Sequence, residues 1–269
     1  MAWRINLLML PLLLGASPAS QPVQQVGRLE ARDLRESSGV VASRRHAGVL
    51  WTHNDSGHAP TLFAVDKAGK LIAQYAVGAP NIDWEDIAID ADGRIYIADI
   101  GNNQANRKDV LIHRLDEPDP AKPDANLKLV PTRTWRVRYP DRPFDSEAFF
   151  VHSDHGYMIS KLLTFQQAGL YRFPLNKADA VALEKVCDLP IRAPVTAADI
   201  SADGKRLAVL TYLGLSVFAI DGNPATSGKV EPVGVRLVNP KIEACGFTKD
   251  GVIVTAETGE VFELHPKDK

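Results

Sequence analysis

The stretch Asn81–Gly101, NIDWEDIAIDADGRIYIADIG, has a layout that returns across the chain. An acidic cluster (Asp83, Glu85, Asp86) leads into a short alternating run, Ile87–Ile89. A turn at Asp92–Gly93 and a second run, Ile95–Ile97, then end at Asp99. Alternation with period two indicates strands, and Asp-Gly between two such runs is a strong hairpin signal. Looser copies begin at Arg35, Phe144, Ala197 and Lys241. Aligning them sets Glu36, Glu85, Glu147 and Glu243 in one row, with Thr196 in the fourth copy. It sets Asp99, Lys161 and Glu257 in a second row. The leading acids lie about 50 residues apart, the period of a radial β repeat.

The expected fold is therefore all-β: a single β-propeller with four-stranded blades, five favoured and six the alternative. The fifth repeat has only three strands, Ala244–Phe247, Val252–Ala256 and Glu260–Glu263. An N-terminal strand, placed at Val26–Ala31, would complete it and remove the exposed edges. Asp116–Asn126, with three prolines and four acids, cannot be a central strand and reads as an exposed loop on the outer rim.

The first 19 residues read as a signal peptide: Arg4, an apolar run LLMLPLLLG, then the small residues SPAS before a cut after Ala19. Residues 20–269 form the propeller, expected in the periplasm or outside the cell as a monomer. The apolar run is too short for a span, so no stable membrane insertion is expected. The chain has 31 Lys plus Arg against 33 Asp plus Glu, dispersed, which argues against nucleic acid as partner. Cys187 and Cys245 could form one disulfide, but two buried thiols is the favoured reading.

ESSG (Glu36–Gly39), LWTHNDSG (Leu50–Gly57), DWEDIA (Asp83–Ala88), YIADIGNN (Tyr96–Asn103) and HRLDEP (His113–Pro118) resemble a group of exported bacterial β-propeller proteins of unassigned activity. The resemblance is strong over residues 36–118 and thinner beyond. More distantly, the chain is similar to calcium-dependent propeller lactonases and phytases, from which no catalytic residue is carried over to this sequence.

The richest candidate site is the oxygen-bearing set Asn54, Asp55, Asp83, Glu85, Asp86, Asp99, Asn102 and Asn103. Carboxylates and amides suit a hard cation, calcium first. The expected ligands are Asp55, Glu85, Asp86, Asp99 and Asn102. The bland alternative has these side chains pinning the blades together through backbone amides. His53, Asp99 and Glu147 are the candidates for proton transfer. Trp84, between two acids, either packs beneath the ring or lines its mouth. No GxSxG, HExxH or phosphate-cradling glycine loop is present. Three functions follow: a module binding a small molecule, glycan or protein at its loop-rich face through a divalent cation; a metal-dependent hydrolase of a lactone or phosphoester; or a structural surface protein.

Overall fold

Alternating apolar runs joined by Asp-Gly and Lys-Ala-Gly turns fold into antiparallel meanders. In a computed structural model of the chain, which describes residues 23–124, 127–164, 166–177, 179–237 and 241–266, five such sheets stand around one axis. Strand β1 (Val23–Arg28) belongs to the last of them. The first blade is β2 (Ser37–Ala42), β3 (Leu50–Asn54), β4 (Thr61–Val65) and β5 (Leu71–Val77). The second is β6 (Trp84–Ile89), β7 (Arg94–Asp99) and β8 (Asp109–Asp116), with a later outer strand. Between them in sequence, β9 (Lys128–Leu129) pairs in parallel with β5 as a fifth strand of blade one. The outer strand of blade two is β10 (Arg133–Arg138).

Blade three runs β11 (Ser146–His152), β12 (His155–Ser160) and β13 (Gly169–Pro174). The alternating segment Val181–Cys187, which by its pattern reads as a single fourth strand, is divided. Its first part, β14 (Ala180–Ala182), pairs in parallel with β10 of blade two, and β15 (Glu184–Asp188) closes blade three. Blade four is β16 (Val195–Ile200), β17 (Arg206–Thr211), β18 (Gly214–Ala219) and β19 (Val233–Arg236). Blade five is β20 (Ile242–Phe247), β21 (Val252–Ala256) and β22 (Glu260–Leu264), completed by β1 on β22. The count is five, and the closing strand lies slightly earlier than its expected position. It starts with Val23 opposite Leu264.

The innermost strands β2, β6, β11, β16 and β20 neighbour one another around the axis. Each meets another blade on both faces, so every residue of Trp84–Ile89 and of Val195–Ile200 is buried. Between blades lie large side chains. Trp51 and Tyr75 of blade one meet Trp84 and Ile97 of blade two, and Val40 and Phe63 meet Ile253 and Val261 of blade five. Burial of this kind stabilises by about 25 cal/mol per Å² of apolar surface. The proline-rich loop is not wholly exposed. Glu117 is buried and accepts a 2.7 Å bond from Trp51 Nε1, which anchors the loop to blade one. Cys187 and Cys245 are free thiols. No helix of the described residues is long and apolar enough to cross a membrane.

Candidate functional site

Every innermost strand carries the same irregularity near its start. The pairing register shifts between Ser37 and Gly39, Trp84 and Asp86, Ser146 and Ala148, Val195 and Ala197, and Ile242 and Ala244. The extra residues are Ser38, Glu85, Glu147, Thr196 and Glu243. A β-bulge re-aims one side chain and twists the strand. Five bulges in register turn these residues into a ring at one mouth of the channel. The sequence alignment named four of the five correctly. It erred in blade one, where Ser38 takes the position. Glu36 lies two residues earlier with a half-exposed side chain 3.6 Å from His58.

The second row is corrected in the same way. Backbone N–H groups of Asp55, Gly101, Lys161 and Glu257 donate to the carbonyls of Glu36, Asp83, Asp145 and Lys241, each two residues before a bulge residue. The blade-two member of this row is thus Gly101, not Asp99. Ile100 is an extra residue that turns into the apolar interface with blade three. A shift of one residue sends a strand side chain to the other face. Asp99 accordingly points away from the ring. Its carboxylate takes 2.8 Å from Arg107 Nη2 and accepts from the Ile82 and Asp83 amides.

The two rows enclose a cavity of about 100 Å³ lined by Ser38, Asp55, Glu85, Glu147, Tyr212, Glu243 and neighbours. At its wall, single carboxylate oxygens of Asp55 and Glu85 lie within 4.8 Å of each other and of one from Asp83, which is not itself part of the lining. Oxygen atoms on either side of a calcium ion stand about 4.8 Å apart, at about 2.4 Å each from the metal, so the set fits a hard divalent cation. Asp83 is held there by Asp99 at its amide. Asn81 spans the two blades, donating 2.7 Å to the Asp55 carbonyl while accepting from the Trp84 amide. Gly101 faces the pair. A Cβ there would run into Asp83 Oδ2 and Glu85 Oε1.

Crowded carboxylates resist ionisation. Burial, followed by the charges of Glu147, Asp55 and Asp83, raises the Glu85 carboxyl well above its ordinary range. Burial and then Asp83 and Glu36 raise that of Asp55. Glu147 is pushed up to about 7 by burial even though Lys161 Nζ pairs with it. Glu243, with burial and Glu147 as its main causes, reaches about 8. Lys161 thus answers part of the ring's repulsion, and the rest is uncompensated.

The expected ligand set is therefore parted. Asp55 and Glu85 come together with Asp83. Asp86 lies deeper on the axis, where its Oδ2 accepts from the Phe149 amide at 2.8 Å and the Ala198 amide at 3.2 Å, tying blades two, three and four. Asp199 makes a matching bond to the Phe247 amide of blade five. Asn102 bonds Arg107 and the Tyr139 hydroxyl at the blade edge. The blade-pinning alternative thus describes Asp86, while the Asn102 side chain ties together parts of blade two alone. Of the proton-transfer candidates, only Glu147 lines the cavity. His53 is fully buried, its Nδ1 against the Asn54 carbonyl and its ring edge-on to Trp84, and desolvation lowers its pKa. Trp84 is core, with its indole N–H on the Pro80 carbonyl.

No family model and no curated protein matches the sequence. Solved structures that resemble it are propeller-like and remote. One from the nidogen/laminin complex has 10% identity, with 83% of this chain and 73% of that one covered, at a TM-score of 0.48. The Cps50 (Swd1) β-propeller domain of Myceliophteria thermophila has 14% identity, covering 87% and 65%, at 0.42. A catalytically inactive virginiamycin B lyase from Staphylococcus aureus with quinupristin has 11% identity, covering 88% and 68%, at 0.45. At such identities the likeness concerns fold alone, and the fold here rests on the strand pairing itself.

Proposed function

We propose that the protein is an exported binding module that takes a ligand or partner at the acidic mouth of its channel through a divalent cation. One observation carries this reading: Asp55, Asp83 and Glu85, from two blades, present oxygens within 4.8 Å of one another. The propeller frame is rigid, and the triad is set by the Asn81 amide donating to the Asp55 carbonyl and the Asp99 carboxylate accepting from the Asp83 amide, rather than by a loose loop. Such a site binds before it needs to move. Calcium leads among the cations because all the donors are oxygens and the frame imposes no octahedral geometry.

The test is calorimetric titration of the mature chain with calcium, magnesium and manganese, followed by melting curves with and without chelator. Calcium should bind at one site and raise Tm, and Asp83→Asn should weaken it by at least tenfold. No heat and no Tm shift at millimolar calcium would sink the proposal. A second reading, hydrolysis of a lactone or phosphoester, draws on Glu147 and Glu243, whose carboxyls exchange protons near neutral pH beside the triad. Chelator-sensitive turnover of such esters, lost in Glu243→Gln, would replace binding with catalysis.

A further inference from the structure

The innermost strands begin at the acidic mouth, so the turns that end them gather at the other end of the channel. These turns, Asp90–Gly93, Ser153–Asp154 and Ser201–Gly204, join Arg44, Arg114 and Arg133 around a cavity of about 530 Å³. That volume lies within the range of small-molecule sites, about 300–1,000 Å³. Ile89, Val151 and Ile200 supply apolar wall.

Four arginines (Arg44, Arg94, Arg114 and Arg133) and four aspartates (Asp90, Asp92, Asp154 and Asp203) line this cavity, so the charges balance in number but not in pairing. Arg94 occupies Asp92 at 2.6 Å and Asp90 at 3.3 Å, and Asp90 also accepts from the Tyr96 hydroxyl. Asp203 is taken up by the Ser201 hydroxyl and the Lys205 amide. Asp154 sits on the exposed rim. Arg133 is fixed by Asp179, the Leu175 carbonyl and the Trp135 face, 4.6 Å from the ring centre. Two guanidinium groups remain. Arg114 reaches Thr132 Oγ1 through Nε and lies 5.7 Å from the Trp135 ring centre. Arg44 reaches in from the turn after β2, where its charge acts on the buried Asp199 carboxyl. Among the described residues neither forms an ion pair within 4 Å, and both are half-buried. A partly desolvated guanidinium without a counter-ion is costly, and its fork matches a carboxylate or phosphate.

We infer that this cavity is a second ligand site, distinct from the acidic mouth, for a small polyanionic organic molecule. Arg44 and Arg114 hold its carboxylate or phosphate groups, and its body lies along Ile89, Val151 and Ile200. The site is independent of any cation at the opposite mouth.

Calorimetry and melting curves of the full chain, at constant ionic strength, with citrate, glucose 6-phosphate, inorganic phosphate and neutral glucose test it. Citrate or glucose 6-phosphate should bind saturably with a Kd below 1 mM. Arg44→Gln and Arg114→Gln should each weaken binding at least tenfold, and Asp83→Asn should leave it unchanged. Citrate against glucose 6-phosphate separates a carboxylate from a phosphate ligand. Where Arg44→Gln fails to fold, Arg114→Lys carries the same tenfold criterion, because it keeps the charge and loses the fork. The inference is overturned by no saturable binding of any anion, by binding equal in the arginine variants, or by loss of binding in Asp83→Asn.

Discussion

Gly101 lies against Glu85 so closely that a methyl group on its Cα would overlap the Glu85 carboxylate and that of Asp83. At the equivalent place blades one, three and five carry Asp55, Lys161 and Glu257. In blade two that space is left to the carboxylates of Asp83, just before β6, and of Glu85 within it.

Gly101→Ala should therefore displace Asp83 and Glu85 without touching the blade core. Calcium affinity is expected to fall by at least tenfold, while Tm in chelator falls by no more than about 2–4 °C, the equivalent of about 1 kcal/mol. Titration calorimetry beside a melting curve separates the two effects.

The raised carboxyls of the ring give stability a definite pH dependence. Glu147 and Glu243 move from 4.5 to about 7 and about 8. The folded state holds these protons more tightly than the unfolded chain. Their contribution is complete below about pH 4.5 and is lost as pH rises through 7 to 8. Tm in chelator should decline from pH 5 to pH 8.5. Glu243→Gln should flatten the decline, and calcium should flatten it further in the wild type. A Tm that rises across this interval would contradict the assignment.

Asp86 acts as a clip rather than a ligand. Asp86→Ala leaves the buried amides of Phe149 and Ala198 without their acceptor, at about 1–3 kcal/mol for each. Denaturant unfolding should report the sum, and calcium affinity per folded molecule should be nearly unchanged. A selective loss of calcium binding at wild-type stability would return Asp86 to the metal site.

Lys161 and Glu147 form a buried pair. Lys161→Met removes the charge that lowers the Glu147 carboxyl, so Glu147 should take up a proton at neutral pH and the variant should lose more stability at pH 8.5 than at pH 6, whereas the double variant with Glu147→Leu should recover most of that loss. Urea midpoints for the two single variants and the double variant give the coupling directly.

The propeller was legible in the chain because its period is written in local signals. Asp-Gly turns, two-residue alternation and a repeat short of one strand need no long-range information, and they gave five blades and an N-terminal closure. Trp51, Phe149 and Phe150 were legible as core for the same reason, bulky groups in strand patterns, whereas for Trp84, set between two acids, only the structure decided between core and mouth. The bulge row was also readable, since Glu85, Glu147, Thr196 and Glu243 keep one offset from their turns. What the alignment could not carry was phase. The β6–β7 turn is one residue longer than its counterparts in blades three and five, which sets Asp99 opposite Trp84 and outward to Arg107, and Ile100, one further residue after β7, brings Gly101 inward. Ser38, not Glu36, fills blade one for the same kind of reason. The two residues of β9 show no period, and nothing local marks that β14 pairs with β10 of blade two rather than within blade three. Whether an acid faces a cation or a backbone amide depends on which strand lies across the axis. Asp86 meets Ala198 from 112 positions away, and only closure of the ring brings the two together.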